Sequence, residues 1–199
     1  MIDYCNSVKA DFSKKISAYD IARKIYLTYP TYAFKNKYDL QFDILNGISK
    51  FLAISITSVH VAGSAKVGRS YHKGTEFCSE KSDLDVVIID NDWFCKLMEV
   101  CSSETRGFHD GRKLQSNRNA DNNLDFLKDY ILKGIIFPKN MPICSERQRI
   151  LGFFNELSVK YAPYFKDINV AFYLSSYFFE RKQLKTIFNI NDYQSNLEK

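Results

Sequence analysis

No stretch of the chain approaches the roughly 18 consecutive apolar residues that span a bilayer, and the opening MIDYCNSVKADFSKK lacks the basic-then-apolar build of a secretory leader. The expectation is a cytoplasmic protein with no membrane partner. Cysteine is sparse and scattered: Cys5, Cys78, Cys95, Cys101 and Cys144 are odd in number and contain no C-x-x-C pair, which supports neither a disulfide framework nor a zinc site. Reduced thiols acting as small packing groups are expected instead. There is no internal repeat and no low-complexity tract. Histidine is equally scarce, with His60 inside a strand-like run and His72 and His109 in loops, none beside an evident partner.

What is present is enough apolar material for a sizeable core. The 199 residues are 45% hydrophobic and 15% aromatic, and at roughly 100–200 residues per domain they predict a single domain over 1–199. The formal charge of +5 points toward polyanionic ligands and is equally that of an ordinary solvated surface.

Along the chain, SVKADFSKKISAYDIARKIYLTYP spaces its apolar residues at helical intervals and predicts one amphipathic helix stopped by Pro30. KYDLQFDILNGISKFLAI repeats the pattern, and SITSVHVAG turns β-branched and ends in glycine, so a second helix feeds a strand. Residues 64–73 fit a helical turn or two and GTEFCSEK a polar loop. LDVVII reads as a short apolar strand, followed by a helix from about Asn91 to Cys101. The charge-mixed segment from Ser102 to Asn123 is the best candidate for a mobile loop or lid, and its Arg112, Lys113 and Arg118 suit either solvent or a nucleic-acid backbone. LDFLKDYILKG is helical, IIFPKNMP an extended loop, RQRILGFFNELSVKYA a helix, INVAFYLSS a third strand and YFFERKQLKTIF a closing helix.

The chemistry concentrates in VAGSAKVGRS and SDLDVVIID. Asp83 and Asp85 lie two apart on a strand, and a period of two sends both carboxylates to one face while Leu84 and Val86 turn inward. Paired anions repel unless a cation joins them, and Mg2+ favours a few carboxylates completed by phosphate oxygens. Gly63 lets backbone approach a phosphate, Ser64 opens a helix whose free N–H groups point at it, and Lys66 and Arg69 follow within reach of the same anion. Each signal alone is weak: an isolated D-x-D also occurs at solvated strand ends.

In this order, strand, Gly-Ser, short helix, loop, then Ser-Asp-Leu-Asp opening an apolar strand, the pattern resembles the active site of the nucleotidyltransferase superfamily typified by DNA polymerase β. The likeness covers about a third of the chain. It implies an α/β (α+β) fold, a mixed β-sheet flanked by helices with N-terminal and C-terminal helical additions. It also implies Gly63 and Ser64 on a nucleoside triphosphate, and Asp83 and Asp85 on two Mg2+ ions, for which Mn2+ can substitute. The expected reaction moves a nucleoside monophosphate onto a hydroxyl of a protein, nucleotide or nucleic-acid end. Short members of this type resemble stand-alone transferases of prokaryotic antiviral defence and toxin–antitoxin systems. A partner toxin or effector protein, or an oligonucleotide product, is implied accordingly.

Two departures stand out. The Ser64-to-Asp83 gap is long, which the polar insertion HKGTEFCSEK absorbs at little entropic cost. The family's third carboxylate is replaced by Asn169 in DINVAFY, and an amide cannot take the proton of an attacking hydroxyl. Asp167, about 6–7 Å earlier on the same face, is the candidate catalytic substitute, although a residue there also suits the start of a strand. Asp110 and Glu180 are outside candidates. A degenerate member that binds nucleotide or neutralises a toxin without turnover is the alternative. Tyr173 and Tyr177 are candidate base-stacking residues if the aromatic closing segment is not simply core.

Overall fold

The computed structural model describes residues 3–114 and 120–193. Its centre is β4 (Leu84–Ile89), whose Leu-Asp-Val-Val-Ile-Ile sequence alternates between two covered faces. β1 (Val59–Ala62) pairs with it antiparallel, β6 (Ile168–Tyr173) parallel, and the two-residue β5 (Ile135–Ile136) closes the order β1-β4-β6-β5, antiparallel to β6. A separate hairpin joins β2 (Arg69–Ser70) to β3 (Thr75–Glu76). The chain is thus mixed α/β, with helices on both sides of the main sheet.

Leu84, Val86 and Ile88 share one face with Val61, Val170 and Phe172, and α3 (Tyr38–Leu52), α5 (Asn91–Glu104) and α7 (Ser145–Lys160) cover it with Ile48, Leu97 and Phe154. Val87, Ala171 and Tyr173 face the other way, beneath α1 (Tyr4–Ser13), α2 (Ala18–Arg23) and α8 (Ser176–Tyr193), which contribute Val8, Ile25 just past α2, Phe179 and Ile187. At roughly 1.5–3 kcal/mol for each large apolar side chain removed from water, two such faces supply the main folding drive. By alternation Asp85 belongs to the face of Val87 and Tyr173, so a carboxylate lies on the floor of the α8 layer.

The expected single N-terminal helix is instead two. Lys15 adopts a left-handed conformation (φ 61°), and Ser17 restarts the helix by accepting from the Asp20 N–H at 3.1 Å. α2 then runs into a wider π-helical turn, Lys24–Thr28, and Tyr29 is extended, as a residue before proline prefers. The expected loop IIFPKNMP contains β5 and a 3-10 turn, Pro138–Asn140, and the polar GTEFCSEK supplies β3. Residues 102–114 are tied down: Arg112 pairs with Asp110, Lys113 with Glu104, and the Lys113 carbonyl accepts from Ile143 at 2.7 Å. Arg118 lies outside the described residues. α6 (Ala120–Leu132) follows. No helix among the described residues is long and apolar enough to cross a membrane.

Candidate functional site

β1 ends with Ala62 opposite Asp85, so the next residue, Gly63, turns directly over that carboxylate. Gly63 has φ +65°, and a Cβ built on it falls 2.3 Å from Asp85 Oδ2. Only glycine fits here without moving the acid. From Gly63 the chain enters the five-residue α4 (Gly63–Val67), with Ser64 half-buried in its first turn.

Asp83 immediately precedes β4, one pleat from Asp85, and its Oδ1 is buried without a hydrogen-bond partner among the described residues. Burial first, and the charge of Asp83 second, raise the Asp85 carboxyl above its ordinary value, while Asn169, Lys139 and Lys73 pull it down. An orphaned carboxylate oxygen beside a second, partly buried carboxylate is a donor set for a hard cation, which takes a few protein oxygens and completes its shell with water or phosphate. No group of three or more His, Cys, Asp or Glu that could hold a metal occurs among the described residues, so a cation here would rest on the Asp83 and Asp85 pair.

The neighbouring strand completes the floor. Asn169 pairs with Asp85 across the parallel ladder, and the Asp167 carbonyl accepts from Leu84 N–H at 2.8 Å, which carries the ladder one residue further and sets Asp167 level with Asp83. Asp167 is exposed, and it lines a cleft of about 260 Å³ together with Asp85, Asn169, Lys139, Asn155 and Ser158. The cleft exists because β5 pairs only with Phe172 and Tyr173, leaving the start of β6 open on that edge. Ser158 of α7 fixes this start, donating to the Phe154 carbonyl and accepting from the Ile168 N–H at 2.9 Å.

Lys139 enters the cleft from the 3-10 turn and donates to Asn169 Oδ1. The buried Arg147 of α7 holds that turn through the carbonyls of Pro138 and Lys139, both at 3.2 Å. An exposed ammonium therefore sits on Asn169, the residue at the position where the sequence pattern calls for a third acid. Thirty residues separate Lys139 from Asn169, and no local spacing connects them.

Two expected anion ligands are placed elsewhere. Lys66 is only 4% exposed and donates to the Tyr29 carbonyl at 2.6 Å, because α4 turns Ala65, Lys66 and Val67 all inward. Arg69 donates to the Gly74 carbonyl at 3.0 Å, approaches Glu76 within its hairpin, and lines a separate cavity with Tyr4 and Tyr32. Glu180 is buried and held by Arg23, and Asp110 is engaged by Arg112. Tyr173 is a buried floor residue, whereas Tyr177 is half-exposed and stacked on Tyr19. His60 packs against Phe179.

Burial pushes the Lys66 ammonium down to about 8 from its ordinary 10.5. A depressed folded value means the neutral amine is the better buried form, so the stability this group contributes is complete above 10.5 and is lost as the pH falls through about 8. From pH 8 to pH 10.5 the wild type is expected to gain stability relative to Lys66→Met, measured by urea titration of both proteins at a series of pH values. Equal pH profiles for the two proteins would place the ammonium in solvent.

Comparison with protein-family models, with curated proteins and with solved structures gives no match.

Proposed function

We propose that this chain is a nucleotidyltransferase that moves a nucleoside monophosphate from a nucleoside triphosphate to a hydroxyl. The observation that carries the reading is the convergence of Gly63 on the Asp85 carboxylate, beside an orphaned oxygen of Asp83. Asp83 and Asp85 would hold Mg2+, or Mn2+ in its place. Such a metal, when bound, neutralises phosphate charge and lowers the barrier to displacement at phosphorus. The glycine-serine turn leaves room for phosphate beside the pair.

In the reaction, the acceptor oxygen bonds to the α-phosphorus, the bond from that phosphorus to the bridging oxygen breaks, and the electron pair leaves with pyrophosphate. The hydroxyl proton passes to Asp167, the exposed carboxylate on this face of β6. Asp167→Asn is expected to slow pyrophosphate release by roughly 10²–10⁴-fold, the range for a lost general base, while Asn169→Asp does little.

A second reading draws support from Lys139: an ammonium on Asn169, where the third acid is expected, suits a module that binds Mg2+-triphosphate without turning it over. On that reading the wild type binds Mg2+-triphosphate but releases no pyrophosphate, Asp167→Asn changes nothing, and Asn169→Asp gains activity. Assaying the three proteins side by side with each nucleotide separates the two.

A further inference from the structure

The carboxylate site does not end at the sheet. A cavity of about 270 Å³ has Asp85, Asn169 and Tyr173 on its floor and Lys182, Gln183 and Thr186 of α8 on its wall. Lys182 and Thr186 also line a larger groove of about 560 Å³, which adds Arg181, Lys185, Lys133 and His72 and has no acidic side chain in its lining. Along α8 the groove residues Phe178, Arg181, Lys182, Lys185, Thr186 and Asn189 recur at helical spacing, while Phe179, Ile187 and Ile190 of the opposite face are buried in the core. One helix therefore packs on the sheet with one stripe and presents cations with the other.

Among the described residues no carboxylate pairs with Arg181, Lys182 or Lys185; Lys133 alone has a partner, the exposed Asp129 at 2.5 Å. Lys133 and Lys182 both lie over the Tyr130 ring, 5.6 and 5.7 Å from its centre, which fixes two ammonium groups beside each other. Burial, then the charges of Lys133 and Lys185, lower the Lys182 ammonium, the mark of a cation cluster short of anions.

We propose that this groove binds a single strand of nucleic acid and delivers its terminal hydroxyl to Asp83 and Asp85. The stripe from Phe178 to Asn189 is about 16 Å long at 1.5 Å per residue. That is enough for several successive phosphates at one per 3.4 Å of a stacked strand, and more than one triphosphate needs. The continuity through Lys182 makes the strand end, rather than its middle, the part beside the carboxylates. The assignment of the hydroxyl rests on the transferase reading; the binding of the strand does not.

The test is fluorescence anisotropy of a short labelled RNA or DNA strand with the full chain, at salt from about 50 to 200 mM. Binding should weaken with salt, with a log–log slope near −2 to −3 for three to four neutralised phosphates at about 0.7 each. Lys182→Glu/Lys185→Glu should weaken it at least about tenfold and flatten the slope by about 1.4. Lys185→Gln, a milder change on an exposed residue, should flatten it by about 0.7, and melting curves check that both variants fold. Asp83→Asn/Asp85→Asn should bind the strand at least as tightly as the wild type does, because two negative charges beside its end are removed. Retained binding in that variant without any transfer activity in the wild type supports the groove and rejects the transferase. Strand binding insensitive to both α8 variants overturns the groove. So does inorganic tripolyphosphate displacing the strand at equal affinity, which would make the groove a donor phosphate site, or an acidic peptide binding in preference to nucleic acid.

Discussion

Replacing Asp83 or Asp85 by alanine should abolish pyrophosphate release, by on the order of 10³-fold or more, and leave the melting temperature of the metal-free protein equal or higher. The loss corresponds to the several kcal/mol of transition-state charge stabilisation that a bound metal supplies. The stability result follows from the same geometry. Burial and the neighbouring Asp83 raise the Asp85 carboxyl, so folding favours its protonated form. For a raised value, the stabilising contribution is complete in acid and is lost as the pH climbs through that value. At neutral pH the ionised pair is a cost that alanine removes, and the gain in melting temperature should shrink as the pH is lowered. Calorimetry on both variants, run beside the transfer assay, reads both quantities. Transfer that survives either substitution rejects the carboxylate pair as the reacting centre.

Gly63→Val should eliminate triphosphate binding and cost at least about 2 kcal/mol of folding stability, a fall of about 4–8 °C in melting temperature for a chain of this size. A left-handed residue with a side chain costs about 1–2 kcal/mol in backbone strain alone, and here its Cβ meets Asp85 Oδ2 at 2.3 Å. Gly47→Ala is the control: it lies within α3, where an added Cβ meets nothing within 4 Å, so it should hold or raise stability by up to about 1 kcal/mol. Isothermal titration with a non-hydrolysable triphosphate gives the binding result. Undiminished binding by the valine variant would move the nucleotide away from this turn.

The sequence pattern located the elements whose periodicity is long or whose apolar run is sharply bounded. LDVVII is β4, and α3 begins one residue into its expected segment. It failed where the deciding contact is distant or the element is tiny. β5 is two residues ahead of a proline, too short to show a period, yet its shortness opens the cleft beside Asp167. Lys66 follows Gly-Ser at a spacing that suits an anion ligand, but the twist of a five-residue helix sends it inward to Tyr29. Conversely, Lys139 and Lys182 carry no motif. One is brought to Asn169 by a turn clamped by Arg147, and the other comes from the closing helix.

The ion pair between Arg23 and Glu180 bears on how the protein is made. Arg23 donates to both carboxylate oxygens of Glu180, at 2.8 and 3.0 Å, and the two are 157 positions apart in the chain. Translation at about 5–20 residues per second separates their appearance by roughly 8–30 s. For that interval Ile21, Ile25 and Val8 have no α8 to cover them, and the wall that Lys182 builds beside Asp85 does not exist. The nascent chain therefore carries a sticky N-terminal helix pair and an uncovered Asp85 face until α8 leaves the ribosome. A ribosome stalled before Ser176 would hold a species prone to association and without a completed site.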